Sequence, residues 1–268
     1  MKIGENVMVV RSDLLAKIPE GISDGFPDKI IAENSIFIPR DTAEKNKDFR
    51  QIIPYILIYK GDKVFATRRL KGSTEKRLHN QISLGIGGHI DLATEGLFLN
   101  KLEAMTAGML RELNEEVDIT GSYNTPISVA CINDKSEPVS RLHIGNLYLL
   151  EVSGDVFVKE KDKLEGFWIT VNELEEMLKE ANQLEGWARL AAEFFLYYRR
   201  CKYHCPKCGC TKFEVITHVT QEWEIDRNGN FVKCNDNCME VTHSPNDDDL
   251  WICTRCGYED EGKFFRQK

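Results

Sequence analysis

Residues 85–119 read GIGGHIDLATEGLFLNKLEAMTAGMLRELNEEVDI, a glycine-rich turn followed by a run of helical periodicity. Leu102, Met105, Met109, Leu113 and Val117 recur at helical spacing, which predicts a helix around Glu103 to Val117 with Leu102, Met109, Leu113 and Val117 turned to the core. At about 100° per residue, Glu112, Glu115 and Glu116 then share one face beside that stripe. Like charges at i,i+3 and i,i+4 repel by roughly a few tenths of a kcal/mol per pair, and Arg111 alone does not offset this. A bound cation would, and hard carboxylate oxygens suit Mg²⁺ or Mn²⁺ better than zinc. Taken alone, the helix also reads as a solvated, glutamate-rich face.

The surroundings of this stretch mix strands and helices. Upstream, IIPYILIYKG and KVFATRR flank Gly61-Asp62 and read as a β-hairpin. Downstream, ISVACI, IGNLYLLEV and EGFWIT are strand-like, and helical segments follow near 171–180 and 183–199. Residues 50–200 are therefore mixed α and β. Residues 1–48 combine short apolar runs with turn residues and carry no chemistry that can be assigned.

The glycines and the helix together match a known pattern. Gly87 and Gly88 after a strand, then Glu103, seven residues and Arg111-Glu112-Leu113-Asn114-Glu115-Glu116, resemble the signature of the Nudix hydrolases. The GIGGHID…REL context looks closest to a poorly characterised phosphoesterase-like branch. The resemblance covers about residues 50–200 and implies an α+β fold, an α/β/α sandwich with a mixed sheet, for a domain of residues 1–200 in which 1–48 are an N-terminal extension and the box is 87–119. It implies that Glu112, Glu115 and Glu116 ligate Mg²⁺ or Mn²⁺, that a carbonyl near Gly87 or Gly88 completes the shell, and that Arg111 holds a glutamate in place. Glu103 would be the signature's first glutamate, although Gly88 and Glu103 are separated by fourteen residues, about nine more than is usual. The glycine the family has near the helix end is Asp118 here, a residue that tolerates a left-handed cap. The base would be one of these glutamates or Glu165. Arg68, Arg69, Lys71, Lys76 and Arg77 cluster where they could receive phosphates, and His89 and His143 are further candidate contacts, each against a plain structural role.

Eight of the nine cysteines fall after residue 200, which marks residues 201–268 as a separate module. Cys205-Pro-Lys-Cys208-Gly and Cys253-Thr-Arg-Cys256-Gly are two knuckles of the kind that close a Cys₄ zinc site, and the module resembles a small β-rich zinc ribbon. FEVITHVTQEWEID and the turn at Asn228-Gly229-Asn230 supply a hairpin between them. Cys201, Cys210, Cys234 and Cys238 have no assigned role. A closed Cys₄ site leaves no position for substrate, so this zinc is read as structural.

Charge narrows the partners. The chain has 35 basic and 43 acidic residues, and neither part is basic. Bulk attraction to nucleic acid or an anionic membrane is not indicated. No spanning or secretory segment is legible, which reads as cytoplasmic. The leading function is a divalent-metal-dependent pyrophosphohydrolase cleaving a nucleoside diphosphate linked to another moiety. The alternative is a non-catalytic nucleotide-sensing protein whose ribbon binds a protein or nucleic acid. The zinc-ribbon NADH pyrophosphatases place their ribbon first and carry a motif absent here, so NADH specificity is not carried over.

Overall fold

The computed structural model describes residues 5–70, 81–95, 100–180, 183–215, 218–243 and 245–267, with backbone alone for 218–222 and 235–243. Lys71, Lys76, Arg77 and the side chain of Cys238 lie outside the described residues. The chain divides into two compact units, Met1–Arg200 and Cys201–Lys268.

In the first unit the order is β1 (Asn6–Arg11), β2 (Gly21–Asp24), α1 (Asp28–Asn34), β3 (Ile36–Pro39), α2 (Arg40–Ala43), β4 (Phe49–Lys60), β5 (Lys63–Arg69), β6 (Ile82–Ser83) and β7 (Gly85–Ile86). There follow α3 (Leu92–Glu95), α4 (Lys101–Glu116), β8 (Val117–Ile119), β9 (Ile127–Asn133), β10 (His143–Glu151), β11 (Val156–Val158), β12 (Leu164–Thr170), α5 (Val171–Lys179) and α6 (Gly186–Arg200). The main sheet runs β12-β5-β4-β10-β9-β2. β4 and β10 are parallel from Gln51↔His143 to Tyr59↔Glu151, while the other pairs are antiparallel. The sheet is mixed.

β4 is buried through most of its length because it is covered on both faces, as its near-continuous apolar sequence requires. Tyr55 and Leu57 join Ala188, Ala192 and Phe195 of α6 in one cluster. Ile56 and Ile58 join Met109 and Leu113 of α4 in another. The sheet is thus sandwiched between helices. The first 48 residues belong to this unit: β1 pairs with β3 and with Phe49–Gln51 of β4, and Met8, Val10 and Ile31 pack with Ile52, Ile90 and Met105.

Opposite β10, the edge of β4 is occupied by β1 at residues 49–51, by β7 at 56–57 and by β5 at 59–60. Between the first two, residues 52–55 have no strand partner on that side among the described residues. Pro54 sits there, where its missing N–H interrupts no ladder.

α4 begins with a capping box in which Asn100 accepts from the Glu103 N–H at 2.9 Å and Glu103 accepts from the Asn100 N–H at 3.2 Å. It buries Ala104, Met105, Gly108, Met109 and Leu113. Leu102, expected in the core stripe, is 37% exposed, because the buried face enters through Ala104 and Met105 instead. The helix ends at Glu116, and Val117 is extended with φ −133°, so Asp118 lies in a strand rather than in a left-handed cap.

The second unit has β13 (Phe213–Val215), β14 (His218–Ile225), β15 (Phe231–His243), β16 (Leu250–Cys253) and β17 (Glu259–Glu261). β14 and β15 form the hairpin around Gly229. Phe213–Val215, read as the start of that hairpin, instead pairs with Val215↔Trp251 register in a sheet ordered β13-β16-β17. Among the described residues no helix is long and apolar enough to cross a membrane.

Candidate active site

Arg111 organises one end of the first unit. Its Nε donates to Glu95 Oε1 at 2.8 Å, and its Nη1 donates to Glu112 Oε1 at 2.9 Å and Glu115 Oε2 at 3.2 Å. Its Nη2 donates to the His89 carbonyl at 2.7 Å. One planar fork therefore ties α3, α4 and the glycine turn together. Burial opposes the guanidinium charge, but the Glu95 hydrogen bond and the charges of Glu112 and Glu95 outweigh it and hold Arg111 above its ordinary value. Glu95 is almost fully buried and also accepts from the Asp91 N–H and the Thr94 hydroxyl.

The glycine turn lies against both β4 and α4. A Cβ on Gly87 would stand 1.9 Å from the Pro54 carbonyl oxygen, and one on Gly88 would stand 2.3 Å from Glu112 Oε1. Only glycine lets the turn fill the gap beside Pro54 and lets the Glu112 carboxylate lie flat on it. The three helix glutamates differ in setting. Glu112 is nearly buried and Glu115 is 60% exposed. Burial, then the Glu112 charge, push the Glu116 carboxyl up to about 7. Burial likewise raises Glu112, against Arg111. All three line a cleft of about 790 Å³ with Gly87, Gly88, Arg69, Glu160, Lys163, His89 and His143, and it continues to Tyr55, Ser83, Glu185 and Trp187.

Comparison with known proteins gives the family. The chain is similar to the crystal structure of Tm1382, whose description places it among the Nudix hydrolases, with TM-score 0.62 and 33% identity, over 72% of this chain and 99% of that one. The chain belongs to the Nudix hydrolase family. It is also 38% identical over 157 residues to the protein YmaB of Bacillus subtilis (strain 168), covering 58% of this chain and 75% of that protein. No family model matches. Nudix hydrolases act on phosphoric anhydride bonds, and this chain is a hydrolase of that kind.

In this Nudix hydrolase the residues expected from sequence separate into two groups. Arg69, Gly88, His89, Glu112, Glu115 and Glu116 meet at the cleft, with Arg111 behind them. Glu103, Arg68 and Glu165 do not. Glu103 is exposed in the capping box at the start of α4, and the glutamate that Arg111 grips is Glu95. Alternation along β5 sends Thr67 and Arg69 to the cleft and Arg68 to the other side, where its Nη1 lies 3.7 Å from Glu165 Oε2 and its guanidinium lies over Phe167. His89 is neutral: burial, then the charges of Arg40, His143 and Arg111, lower it to about 3. Its Nε2 is buried with no hydrogen-bond partner among the described residues, and its ring meets His143 edge-on at 5.6 Å.

Sequence reasoning missed Glu95, Glu160, Lys163, Glu185 and Trp187. Glu95 stands seven positions after Gly88, near the family's spacing, and the regular seven-residue interval from Glu103 to Arg111 drew attention away from it. The others come from loops and element ends with no local pattern.

In the second unit Cys205, Cys208, Cys253 and Cys256 place their sulfurs within 4.8 Å of one another. Cys205–Cys256 and Cys208–Cys253 are each 3.6 Å apart, close to the roughly 3.8 Å edge of a tetrahedron with 2.3 Å metal–sulfur bonds. Gly209 and Gly257 have φ of 66° and 70°, the left-handed turn each knuckle needs. This cluster is compatible with a zinc ribbon. Among the described residues it is also the one such group that converges this tightly; the three helix glutamates do not, since Arg111 draws Glu112 and Glu115 to one side.

Two measurements check this geometry. Glu95→Gln leaves Arg111 without its buried partner and is expected to cost about 3 kcal/mol in thermal or urea unfolding, whereas Glu103→Ala removes only a cap and is expected to cost about 1 kcal/mol. A Glu116 carboxyl raised from 4.5 to about 7 favours the folded state fully below pH 4.5 and loses that contribution as pH rises through 7. The metal-free chain should therefore melt at lower temperature at pH 8 than at pH 5, and Glu116→Gln should flatten that difference.

Proposed function

We propose that this Nudix hydrolase is a divalent-metal-dependent pyrophosphohydrolase that cleaves a nucleoside diphosphate linked to another moiety. The supporting observation is the cleft end at which Glu112, Glu115 and Glu116 face the Gly87–Gly88 turn with Arg69 and Lys163 beside them. The donor set fits Mg²⁺ or Mn²⁺: it is all carboxylate and carbonyl oxygen, and a cation beside Glu112 and Glu116, whose carboxyls burial raises, would favour their ionised forms. Glu112, Glu115 and Glu116 would hold the ions, with a carbonyl of Gly87 or Gly88. When bound, such ions polarise phosphoryl oxygens and lower the pKa of water.

The chain's own groups supply the rest. Arg69 and Lys163 are placed to receive the diphosphate oxygens. Glu160 lines the same end outside the ligand set, with Oε1 held by Lys163 Nζ at 2.8 Å, and is our choice of proton acceptor for the attacking water. Arg111 positions Glu112 and Glu115 and leaves Glu116 to the cleft. The Cys₄ group we read as a structural zinc site, since all four sulfurs are committed to closing it and the small second unit has a core of few residues.

Hydrolysis of a panel of nucleotide-linked diphosphates is expected with Mg²⁺ or Mn²⁺, to stop on adding EDTA, and to fall at least about 100-fold in Glu116→Gln. A panel left intact by wild type would refute the reading. Zinc analysis should give one ion per chain, lost in Cys208→Ser. Stripping that ion should unfold residues 201–268, seen as new amide exchange confined to that unit.

A further inference from the structure

Trp187 is a fixed aromatic surface in the wall of the cleft. It is the second residue of α6, and its indole packs so closely over Gly145 of β10 that a Cβ there would stand 2.8 Å from the ring. A glycine within a strand marks a place where another group comes near the backbone. Tyr55 holds the ring from the side, edge-on, with centroids 5.7 Å apart. The chain is anchored one residue earlier, where the Glu185 N–H donates to the Ile82 carbonyl at 3.1 Å and the Glu185 carbonyl accepts from the Arg189 N–H at 2.9 Å. With Gly145 beneath it, Trp187 is half-buried and lines the cleft.

The distance from this ring to the glycine turn follows from the sheet. Gly87 lies against the Pro54 carbonyl on one edge of β4, and β10 runs along the other edge with Gly145 opposite Ile53. Trp187 therefore stands about two strand spacings from the turn, roughly 10 Å, which is about the reach from a base to the phosphates of its nucleotide. His143, two residues before Gly145 on the same face of β10, meets His89 of the turn and makes the wall continuous. Polar side chains along that wall are engaged by their neighbours. The Ser83 and Tyr55 hydroxyls are turned to Glu185, and His143 Nδ1 donates to the Val139 carbonyl at 2.7 Å. A flat ring laid on the indole disturbs none of these bonds.

We propose that Trp187 is the base platform of this hydrolase and holds a purine by its face. Stacking asks for no match at the ring edge, because every base has a π-face. It strengthens with the area of overlap, so two-ring purines are favoured over pyrimidines, and adenine and guanine are treated alike. A platform already fixed by Gly145 and Tyr55 loses little freedom when a base settles on it. The inference rests on the diphosphate reading, which puts the phosphates beside the glutamates.

The test is fluorescence and calorimetric titration of the Mg²⁺-loaded full chain with AMP, GMP and CMP, and with ribose 5-phosphate as the ligand that lacks a base. AMP and GMP are expected to bind within about threefold of each other and at least about tenfold more tightly than ribose 5-phosphate, with CMP between. Either purine nucleotide should quench tryptophan emission. Trp187→Phe should abolish the quench while calorimetry still finds an affinity within about threefold of wild type. Trp187→Leu should bring AMP down to the level of ribose 5-phosphate and, in hydrolysis, raise KM about tenfold with kcat held. AMP no tighter than ribose 5-phosphate in wild type, a quench that persists in Trp187→Phe, or AMP binding undiminished in Trp187→Leu overturns the assignment. A preference of about tenfold or more for one purine over the other overturns it too, since stacking alone is tolerant of base identity. Should Trp187→Leu not fold, the base dependence of wild type and the quench in Trp187→Phe decide. Hydrolysis without base-dependent binding defeats this inference and spares the pyrophosphohydrolase reading. Base-dependent binding without any hydrolysis does the reverse.

Discussion

A single guanidinium holds the glutamate end of the cleft together. Arg111 reaches Glu95 on α3, Glu112 and Glu115 on its own helix, and the His89 carbonyl of the glycine turn. Glu95 and the His89 carbonyl reach Arg111 from 16 and 22 residues back along the chain, so folding and not chain proximity brings them to α4. Burial makes the arrangement cooperative, because an Arg or Glu left unpaired in this setting is costly. The same fork also decides which carboxylates are restrained. Glu112 and Glu115 are drawn to Arg111, and Glu116 is left facing the cleft with its charge unbalanced and its carboxyl raised to about 7.

The position of the cleft follows from an interruption in the sheet. β4 is paired with β10 from Gln51 to Tyr59, but on its other edge the described partners leave residues 52–55 open. Gly87 enters that opening against the Pro54 carbonyl, and Gly88 presents itself to Glu112. Bulk at either glycine would push the turn away from the sheet or the carboxylate away from the turn. The N-terminal residues that suggested no chemistry contribute here, since β1 forms one border of the opening and Arg40 adds to the field that keeps His89 neutral.

The second unit is held differently. Its buried cluster is small and includes Cys205 and Cys253 themselves beside Phe265. The sulfur spacing, near that of a tetrahedral site, is compatible with a metal ion, and in so small a module such an ion would contribute to folding.

The sequence alone determined the features that depend on local spacing. Helical period put Glu112, Glu115 and Glu116 on one face, alternation and a Gly-Asp turn made the β4–β5 hairpin, and C-x-x-C-G spacing defined the two knuckles. The family was legible because its signature is itself a local pattern of this sort. What sequence left open depends on distance through space. Glu103 matched the signature in one dimension, but the burial that makes a glutamate useful to Arg111 was created by α3 folding beneath α4, and that placed Glu95 there. Arg68 and Arg69 are neighbours in sequence and opposites in the strand, and only pairing with β12 fixed which one meets the cleft. Glu160 and Lys163 come from one stretch and Glu185 and Trp187 from another about twenty residues further on, with no shared motif. The tertiary structure gathers them because the loop before β12 and the start of α6 pack along one cleft, a relation no local periodicity encodes.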